Sequence, residues 1–421
     1  MLMTRLVTAT VAVLLLTSVP AWADAVSYKG VWGEQQIVVE LTEATDGPIV
    51  GRYSVLANGW DVPLRALEQS DDTLLLAEEL PCTPDICVKP DDGLFLDAPL
   101  GARWDLQFSA DGQTLSGLIG ADDTNPGMPV VLQRIGSRSY ERYDAFTYDY
   151  FVWNDYNGAV ITPLSTPYDY AKMLVPLTEG PLMALNGGSV RFVSDPRTRF
   201  EFPRVVSLPD GGQTSAINRA LDEQRWSTNL EGFGCLSMNY LSAGWTGDND
   251  SGYSDLGDID LESISVEYLS SRIMAIVQSG STYCGGASPY NHSNYSTFDV
   301  RTGEKLDLSR IFVGWVPTRD GNEALLADAR VAPNSYDWGA NDALVQFVED
   351  NRIKDPAYDL DCDIERNIGE NLDISFRDND LVVFLIAGID QAACAGEVLA
   401  MPFSQLPASL LTPKAVDYFA H

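Results

Sequence analysis

Histidine is nearly absent from this chain. His292 and the last residue, His421, are the two histidines among 421 residues. Two cannot supply the His-Glu-x-x-His motif of a zinc hydrolase, or the several His and Asp ligands of a metal-dependent deacetylase. The sequence also lacks a Gly-x-Ser-x-Gly nucleophile elbow, a Ser-x-x-Lys pair and a phosphate-binding loop. We therefore predict no cofactor, and catalysis would have to depend on the 60 acidic residues.

Carboxylates are dense between Asp248 and Asp260. Asp248, Asp250 and Asp255 lie near turn-forming glycines, and Ca²⁺ binds about 6–8 oxygen ligands of this kind. Tyr253 stands where an EF-hand loop needs glycine, so the pattern of that loop fails. We favour a solvated hairpin loop and keep a calcium site as the alternative.

The six cysteines predict three disulfides. No Cys-x-x-Cys pair is present, and this disfavours the alternative of a cysteine-ligated metal or a redox thiol. Six cysteines allow fifteen pairings, and proximity along the chain favours one of them. The favoured pairs are Cys82–Cys87, Cys235–Cys284 and Cys362–Cys394.

Residues 1–23 have the features of a cleaved secretory signal. Arg5 precedes the apolar run Leu6–Leu16, and Ala21-Trp22-Ala23 places small residues before the cleavage point. The run is shorter than the ~20 residues of a membrane-spanning helix. No cysteine lies at the cleavage point, so a lipid anchor there is not indicated. We expect a bacterial periplasmic or secreted protein, in a compartment where disulfides form.

Acidic residues dominate the charge of the chain. Twenty-seven Lys and Arg face 60 Asp and Glu, which gives a net charge of −33. Loss of Arg5 with the signal leaves 26 basic residues and a net charge of −34. Such a charge repels nucleic acid and anionic membranes, and it attracts basic proteins.

Residues 25–135 are predicted to form an all-β domain, either a small barrel or a sandwich. Short apolar stretches such as Gln36–Leu41, Ile49–Val55 and Thr114–Ile119 alternate with the turn signals Asn58-Gly59 and Ala110-Asp111-Gly112. Strands at this spacing are typical of both architectures.

Residues 136–200 are predicted to connect two domains. Aromatic residues are frequent there, and Phe146, Tyr148 and Tyr150 alternate as on one face of a strand. One interpretation is a stacking platform for sugar rings. We favour an aromatic seam that packs the two domains together.

Residues 201–413 are predicted to form an α+β domain with an antiparallel sheet. Ser215–Arg225, Glu323–Arg330 and Asp342–Val348 have helical spacing, whereas Ile264–Tyr268 and Leu381–Ile386 are strand-like. Helices and strands segregate along the chain instead of alternating, and this disfavours a parallel α/β sheet.

Three motifs carry a resemblance to a known domain. They are Tyr283-Cys284-Gly285-Gly286-Ala287-Ser288-Pro289, the run Phe298–Phe312 with its Phe-Asp-x-x-Thr-Gly start, and Ala395–Leu406. In order and spacing they resemble an extracytoplasmic α+β domain of bacterial envelope proteins. That domain forms the lysozyme-binding part of an anti-sigma factor and accompanies some peptidoglycan deacetylase domains. Arg191–Thr198 is similar to its entry.

The likeness extends to the N-terminal half and has one departure. Gly51-Arg52-Tyr53 and Asp61-Val62-Pro63-Leu64 resemble a small β domain that often precedes the α+β domain. Ser288 stands where the family has a histidine, and His292 lies four residues further on. The motifs themselves have an architectural explanation, because Gly285-Gly286 permits a tight turn beside Cys284.

The resemblance and the charge together favour a non-catalytic envelope protein that binds a basic or lysozyme-like protein, or a peptidoglycan-associated one. The alternative is a carboxylate-dependent hydrolase or accessory enzyme that acts on peptidoglycan or carbohydrate. The residues expected to bind the partner are Gly285, Gly286, Ser288, Pro289, His292, Trp245 and Tyr253.

Overall fold

A computed structural model provides the structure of the protein. The residues that it describes are 22–42, 49–70, 72–80, 99–120, 125–141, 160–241, 262–282, 290–319, 322–324, 326–331, 335–355, 359, 361–378, 380–385, 394 and 396–419.

The N-terminal part is a closed barrel of eight antiparallel strands in chain order. The last strand pairs with the first, so the sheet has no free edge. This establishes a barrel where the sequence left barrel and sandwich open. The strands are β1 (Trp22–Trp32), β2 (Gln35–Thr42), β3 (Val50–Val55), β4 (Val62–Gln69), β5 (Thr73–Glu79), β6 (Leu100–Phe108), β7 (Thr114–Ile119) and β8 (Met128–Glu141).

Alternation along the strands fills the barrel with apolar side chains. Ile37, Val39 and Leu41 of β2 point inward and are buried with Leu76 and Trp104. Each fully buried side chain of this size contributes roughly 1.5–3 kcal/mol through removal of apolar surface from water. The turn signals are confirmed at both tested hairpins, because Gly59 and Gly112 have the left-handed φ angles of 90° and 66°.

The rest of the described chain consists of small antiparallel sheets with helices. Four three-stranded sheets are present, in the strand orders β11-β10-β9, β12-β13-β14, β16-β15-β17 and β18-β19-β20. The strands are β9 (Thr178–Leu185), β10 (Gly188–Ser194), β11 (Glu201–Ser207), β12 (Ser263–Leu269), β13 (Ile273–Thr282), β14 (Tyr290–Asp299), β15 (Trp315–Arg319), β16 (Asn322–Glu323), β17 (Asp337–Ala340), β18 (Leu372–Arg377), β19 (Asp380–Leu385) and β20 (Gly396–Pro402). The helices are α1 (Pro167–Met173), α2 (Ser215–Leu241), α3 (Leu326–Val331), α4 (Asp342–Asn351), α5 (Ile364–Asn371) and α6 (Val416–Phe419), with 3₁₀ turns at Leu308–Arg310, Phe403–Gln405 and Ala408–Leu410.

The central sheet β12-β13-β14 separates two apolar cores. Ile273 and Ala275 of β13 belong to the core that β18 and β19 complete. Met274 and Ile276 face the other way, into a core completed by α2 and the sheet β9-β10-β11. Both faces of β13 are therefore buried, which explains its nearly continuous apolar sequence.

The structure differs from the sequence-based bounds in several places. The barrel begins at Trp22, inside the predicted signal 1–23, and ends at Glu141, beyond the predicted boundary at residue 135. Helix α2 continues to Leu241, well beyond Arg225. Helix α3 begins at Leu326, because Glu323 lies in the short strand β16. The region predicted as a connection also contains β9 and β10, which pair with β11 in one sheet.

One predicted disulfide is confirmed. Cys362 and Cys394 are bonded across 32 residues of chain. Cys235 is also disulfide-bonded, but its predicted partner Cys284 lies outside the described residues, as do Cys82 and Cys87. The aromatic residues 146–156 lie outside them too, so the proposed aromatic seam stays a prediction.

The outer wall of the barrel carries a set of buried charges beneath α1. Arg52 donates to Glu40 at 3.0 and 2.8 Å and to Asp61 at 3.0 Å, and Arg138 donates to the other oxygen of Glu40 at 2.6 Å. We call this set the buried charge cluster; each member is 8% exposed or less, and the three carboxylates face three cations. Its members are Glu40, Arg52, Asp61, Arg138, Asp169 and Lys172.

Helix α1 supplies the other side of the cluster. Lys172 and the Tyr168 hydroxyl donate to the same oxygen of Asp61 at 2.6 and 2.7 Å. The Tyr168 ring lies 4.2 Å from the Arg52 guanidinium carbon, a cation–π distance. Asp169 completes the set through a longer contact with Arg52 at 3.4 Å. The cluster therefore fixes α1 to the barrel wall by charge and by ring packing.

The α+β part is connected to the same place. The Asp61 backbone N–H donates to the Ser237 hydroxyl of α2 at 2.7 Å. Arg197 donates to the carbonyls of Leu56 in the barrel and Lys172 in α1, at 3.0 and 2.8 Å. The residues that fix α1 to the barrel thus also contact the second half of the chain.

We predict that Arg52→Met lowers the free energy of unfolding by about 3–5 kcal/mol, because it leaves three buried carboxylates with two cations. Urea unfolding of the protein measures this loss. Arg103→Met is the matched control, since Arg103 is exposed on the same barrel. A loss below about 1 kcal/mol for Arg52→Met would show that the cluster contributes little to stability.

The cluster also predicts a pH dependence. Burial alone would raise the pKa of Glu40, but Arg138 and Arg52 outweigh it and lower the pKa to about 2 from 4.5. A lowered carboxyl pKa stabilises the fold above 4.5, and this contribution is lost as the pH falls toward 2. Burial raises the pKa of Asp169 despite the neighbouring Arg52. A raised carboxyl pKa lowers the free energy of unfolding as the pH rises, which is the reverse of the contribution from Glu40.

Accordingly, Glu40→Gln should flatten the decline of unfolding free energy between pH 4.5 and 2. Removal of one titrating group reduces the slope by up to about 1.4 kcal/mol per pH unit. Urea titrations at several pH values measure the slope for the wild type, for Glu40→Gln and for the exposed control Glu34→Gln. Parallel curves for the wild type and Glu40→Gln would contradict the assignment.

Candidate functional site

A small pocket lies between the central sheet and helix α2. Its volume is about 240 Å³. Polar and ionisable side chains predominate in its lining. They include Thr228 and Glu231 of α2, Glu262, Gln278 of β13, and His292 and Asn294 of β14.

The arrangement of three neighbouring strands brings Glu262 and His292 together. Glu262 directly precedes β12, and His292 pairs with Gly280 on the intervening strand β13. A Cβ atom at Gly280 would lie 2.4 Å from the Glu262 carboxylate and 3.1 Å from the His292 ring. A larger residue there would displace the Glu262 carboxylate, because the two side chains meet over the glycine backbone.

Glu262 is held in place by two neighbours. The Gln278 amide donates to one carboxylate oxygen at 2.6 Å, and His292 Nε2 lies 3.0 Å from the other. The side chains of Glu262 and His292 are only 2% and 7% exposed. No arginine or lysine within the described ranges forms an ion pair with Glu262. The partners of the Glu262 carboxylate are thus the Gln278 amide and the His292 imidazole, whereas a buried carboxylate is usually paired with arginine or lysine.

Glu231 brings a second carboxyl group to the pocket from helix α2. The residue as a whole is exposed, but its carboxyl is partly desolvated. That desolvation, together with the negative charge of Glu262, raises the pKa of Glu231, whereas His292 and a hydrogen bond from Ser227 lower it in part. A carboxyl with a raised pKa beside a second carboxyl can hold a proton or accept a cation.

The remaining wall of the pocket is a tight packing contact. Gly232 and the disulfide-bonded Cys235 lie on α2 next to Phe200. A Cβ atom at Gly232 would lie 2.9 Å from the Phe200 ring, so this part of α2 approaches the ring closely. The pocket is thus bounded by ordered elements on both sides.

Of the partner residues expected from sequence, His292 is the one whose structure is described. Trp245, Tyr253, Gly285, Gly286, Ser288 and Pro289 lie outside the described residues, and their role stays a prediction. The chain leaves the described structure at Thr282 and Leu241, and it returns at Tyr290 and Glu262. Both predicted segments are therefore covalently attached to elements of the pocket.

Sequence reasoning did not find Glu231, Glu262 or Gln278. Two acidic residues among 60 carry no distinguishing signal. Glu231 is separated from Glu262 by 30 residues, and only the fold of α2 against the sheet makes them neighbours. Gly280, a glycine inside the strand-like stretch that forms β13, was an available sequence signal, because glycine in a strand often marks a site where another group approaches the backbone closely.

In the part of the chain that the structure describes, no three His, Cys, Asp or Glu residues are placed to hold an ion. The weak calcium candidates Asp248, Asp250 and Asp255 lie outside that part. Within it, no helix has the length and apolar character needed to cross a membrane.

Comparison with known proteins adds no identity. No protein-family model matches the chain, and no curated protein matches it. The resemblance given by the Gly-Gly and Phe-Asp-x-x-Thr-Gly motifs therefore remains a sequence-based expectation. The function must be argued from the pocket and the charge.

We predict that the pKa of Glu231 lies above 4.5 and falls in Glu262→Gln, because that change removes a like charge. Carboxyl ¹³C titration of selectively glutamate-labelled protein measures it, and Glu231→Gln assigns the signal. If the pKa of Glu231 is at or below 4.5 and does not change in Glu262→Gln, the two carboxyl groups do not interact.

Proposed function

We propose that this chain is a non-catalytic binding protein of the bacterial cell envelope, periplasmic or secreted, that recognises a basic protein of lysozyme-like or peptidoglycan-associated kind. The observation that carries the proposal is the buried Glu262 carboxylate. It lines a small pocket with Glu231, and within the described chain no arginine or lysine neutralises it.

The pocket has the size and chemistry to accept one cationic side chain. Its volume of about 240 Å³ lies below the roughly 300–1,000 Å³ of pockets for drug-sized ligands. A lysine or arginine from a partner would bring a full positive charge to Glu262 and Glu231. Charge-assisted hydrogen bonds of this kind are about twice as strong as neutral ones.

The charge of the whole chain supports the same class of partner. A net charge of −34 after signal removal raises the encounter rate with basic proteins at low salt. Long-range attraction alone does not select a partner, and selection requires a local site. The pocket supplies such a site on elements that are joined along the chain to the two segments predicted to bind.

We predict that immobilised mature protein retains hen-type lysozyme, and that binding weakens as salt rises from about 20 to 150 mM. The double variant Glu231→Gln/Glu262→Gln should bind at least tenfold more weakly, because the pocket no longer offers carboxylates. Biolayer interferometry at both salt concentrations measures the affinities.

A charge-matched control separates the pocket from the general acidity. Glu68→Gln/Asp105→Asn removes two exposed carboxylates from the barrel wall and should change the affinity by less than threefold. Equal weakening of the two double variants would mean that net charge alone attracts lysozyme. Absence of binding at 20 mM salt would reject the proposal.

A second candidate is a carboxylate-dependent hydrolase acting on peptidoglycan or carbohydrate. The raised pKa of Glu231 beside Glu262 favours it, since such enzymes use one protonated and one ionised carboxyl. Release of soluble product from peptidoglycan fragments, abolished by Glu231→Gln, would support this function. The same result would reject the non-catalytic proposal.

A further inference from the structure

One end of the barrel opens into a cavity of about 610 Å³. Its floor is apolar, formed by Val26, Tyr28, Leu41 and Leu74, which belong to the interior core of the barrel. These four side chains come from three different strands, so the cavity lies within the barrel opening itself. An eight-stranded barrel is wide enough to hold one small ligand.

The opposite end of the same barrel is filled. The rings of Trp32, Tyr53 and Trp104 lie 4.8–6.3 Å apart there. Glu78 accepts hydrogen bonds from the Tyr53 hydroxyl at 2.8 Å and from Trp104 Nε1 at 3.2 Å. Only one end therefore offers entry, and a ligand would enter with a defined orientation.

The rim of the cavity changes from apolar to polar. Phe108 lies at the level of the β6–β7 turn, where Ala110 and Ser109 also line the cavity. Asp72 and Arg134 provide one charge of each sign. Both are exposed, and within the described ranges neither forms an ion pair. An apolar floor below a charged rim fits a molecule that has an apolar end and a polar end.

We propose that the mouth of the barrel binds one single-chain amphiphile, with its apolar chain against Val26, Leu41 and Leu74 and its polar head at the rim beside Asp72 and Arg134. The volume lies within the roughly 300–1,000 Å³ of small-molecule sites, which occur in the mouths of β-barrels. This site is separate from the pocket at Glu262, and neither proposal depends on the other.

The test uses the mature full-length chain and N-phenyl-1-naphthylamine, a neutral apolar dye that fluoresces on leaving water. Saturable binding of one dye per chain is expected. Dodecylphosphocholine below its micelle concentration should displace the dye, whereas phosphocholine without the chain should not, because burial of the chain provides the free energy.

Two variants close the mouth without altering the interior core. Ala110→Trp and Gln69→Trp each add a large ring at an exposed position that lines the cavity. Each should raise the dissociation constant for the dye at least tenfold. Gln107→Trp places the same ring outside the barrel on β6 and should change it less than twofold.

Three results would overturn the proposal. They are absence of saturable dye binding by the wild type, displacement of the dye by phosphocholine alone, and equal weakening by the Ala110→Trp and Gln107→Trp substitutions. An unchanged far-ultraviolet circular dichroism spectrum and a cooperative urea unfolding transition establish that each variant is folded. If Ala110→Trp fails this control, Gln69→Trp decides the result.

Discussion

The association of Arg52 with Glu40 and Asp61 is the interaction on which the arrangement of the two halves depends. Its charges are buried, and removal of charges from water is costly unless every partner is present. Glu40 and Arg52 come from the barrel, whereas Lys172 belongs to α1. The favourable contacts therefore form together or not at all. A purely hydrophobic contact could also hold α1 against the barrel, but it would allow α1 to shift along the barrel surface. Hydrogen bonds to particular carboxylate oxygens fix the position of α1, because they have a narrow range of distances and angles.

This constraint extends to the pocket through helix α2. Ser237, which accepts from the Asp61 backbone, lies on the same helix as Glu231 and Cys235. The helix that faces the central sheet is thus anchored at the barrel. The position of Glu231 opposite Glu262 follows from two independent packings, one against β13 and one against the barrel wall. A pocket built in this way is preformed, so a partner would lose less ordering entropy on binding.

Much of the fold could be predicted from sequence because it depends on local patterns. Alternation and turn residues identified the β-rich N-terminal part, and the Asn58-Gly59 and Ala110–Gly112 turns lie where expected. Proximity along the chain identified the Cys362–Cys394 bond. Closure of the barrel could not be derived, because the pairing of Trp32 with Val130 is a relation between distant segments. The length of α2 was underestimated because its later residues include Gly232 and Gly234, which have weak helix propensity.

The candidate site was harder to predict for the same reason. His292 was singled out because histidine is rare and because it lies four residues beyond Ser288, which stands where the resembling family has a histidine. Glu262 was not, since its importance arises from burial beside Gly280 and from the absence of a side chain there. Arg52 and Asp61 were noted for a family likeness, but nothing local indicated that both would be buried in one cluster. Charge pairing across the chain is a tertiary property.

The pairing of β1 with β8 has a consequence for how the chain acquires its structure. The strand synthesised first is completed by the strand that ends at Glu141, more than a hundred residues later. Such a closure has a large entropic cost, and it makes folding slow compared with local hairpins. During folding, β1 would have one edge unpaired until β8 is in place. The net negative charge of the chain matters before folding is complete. Charge repulsion between molecules keeps their unpaired strand edges from pairing with one another.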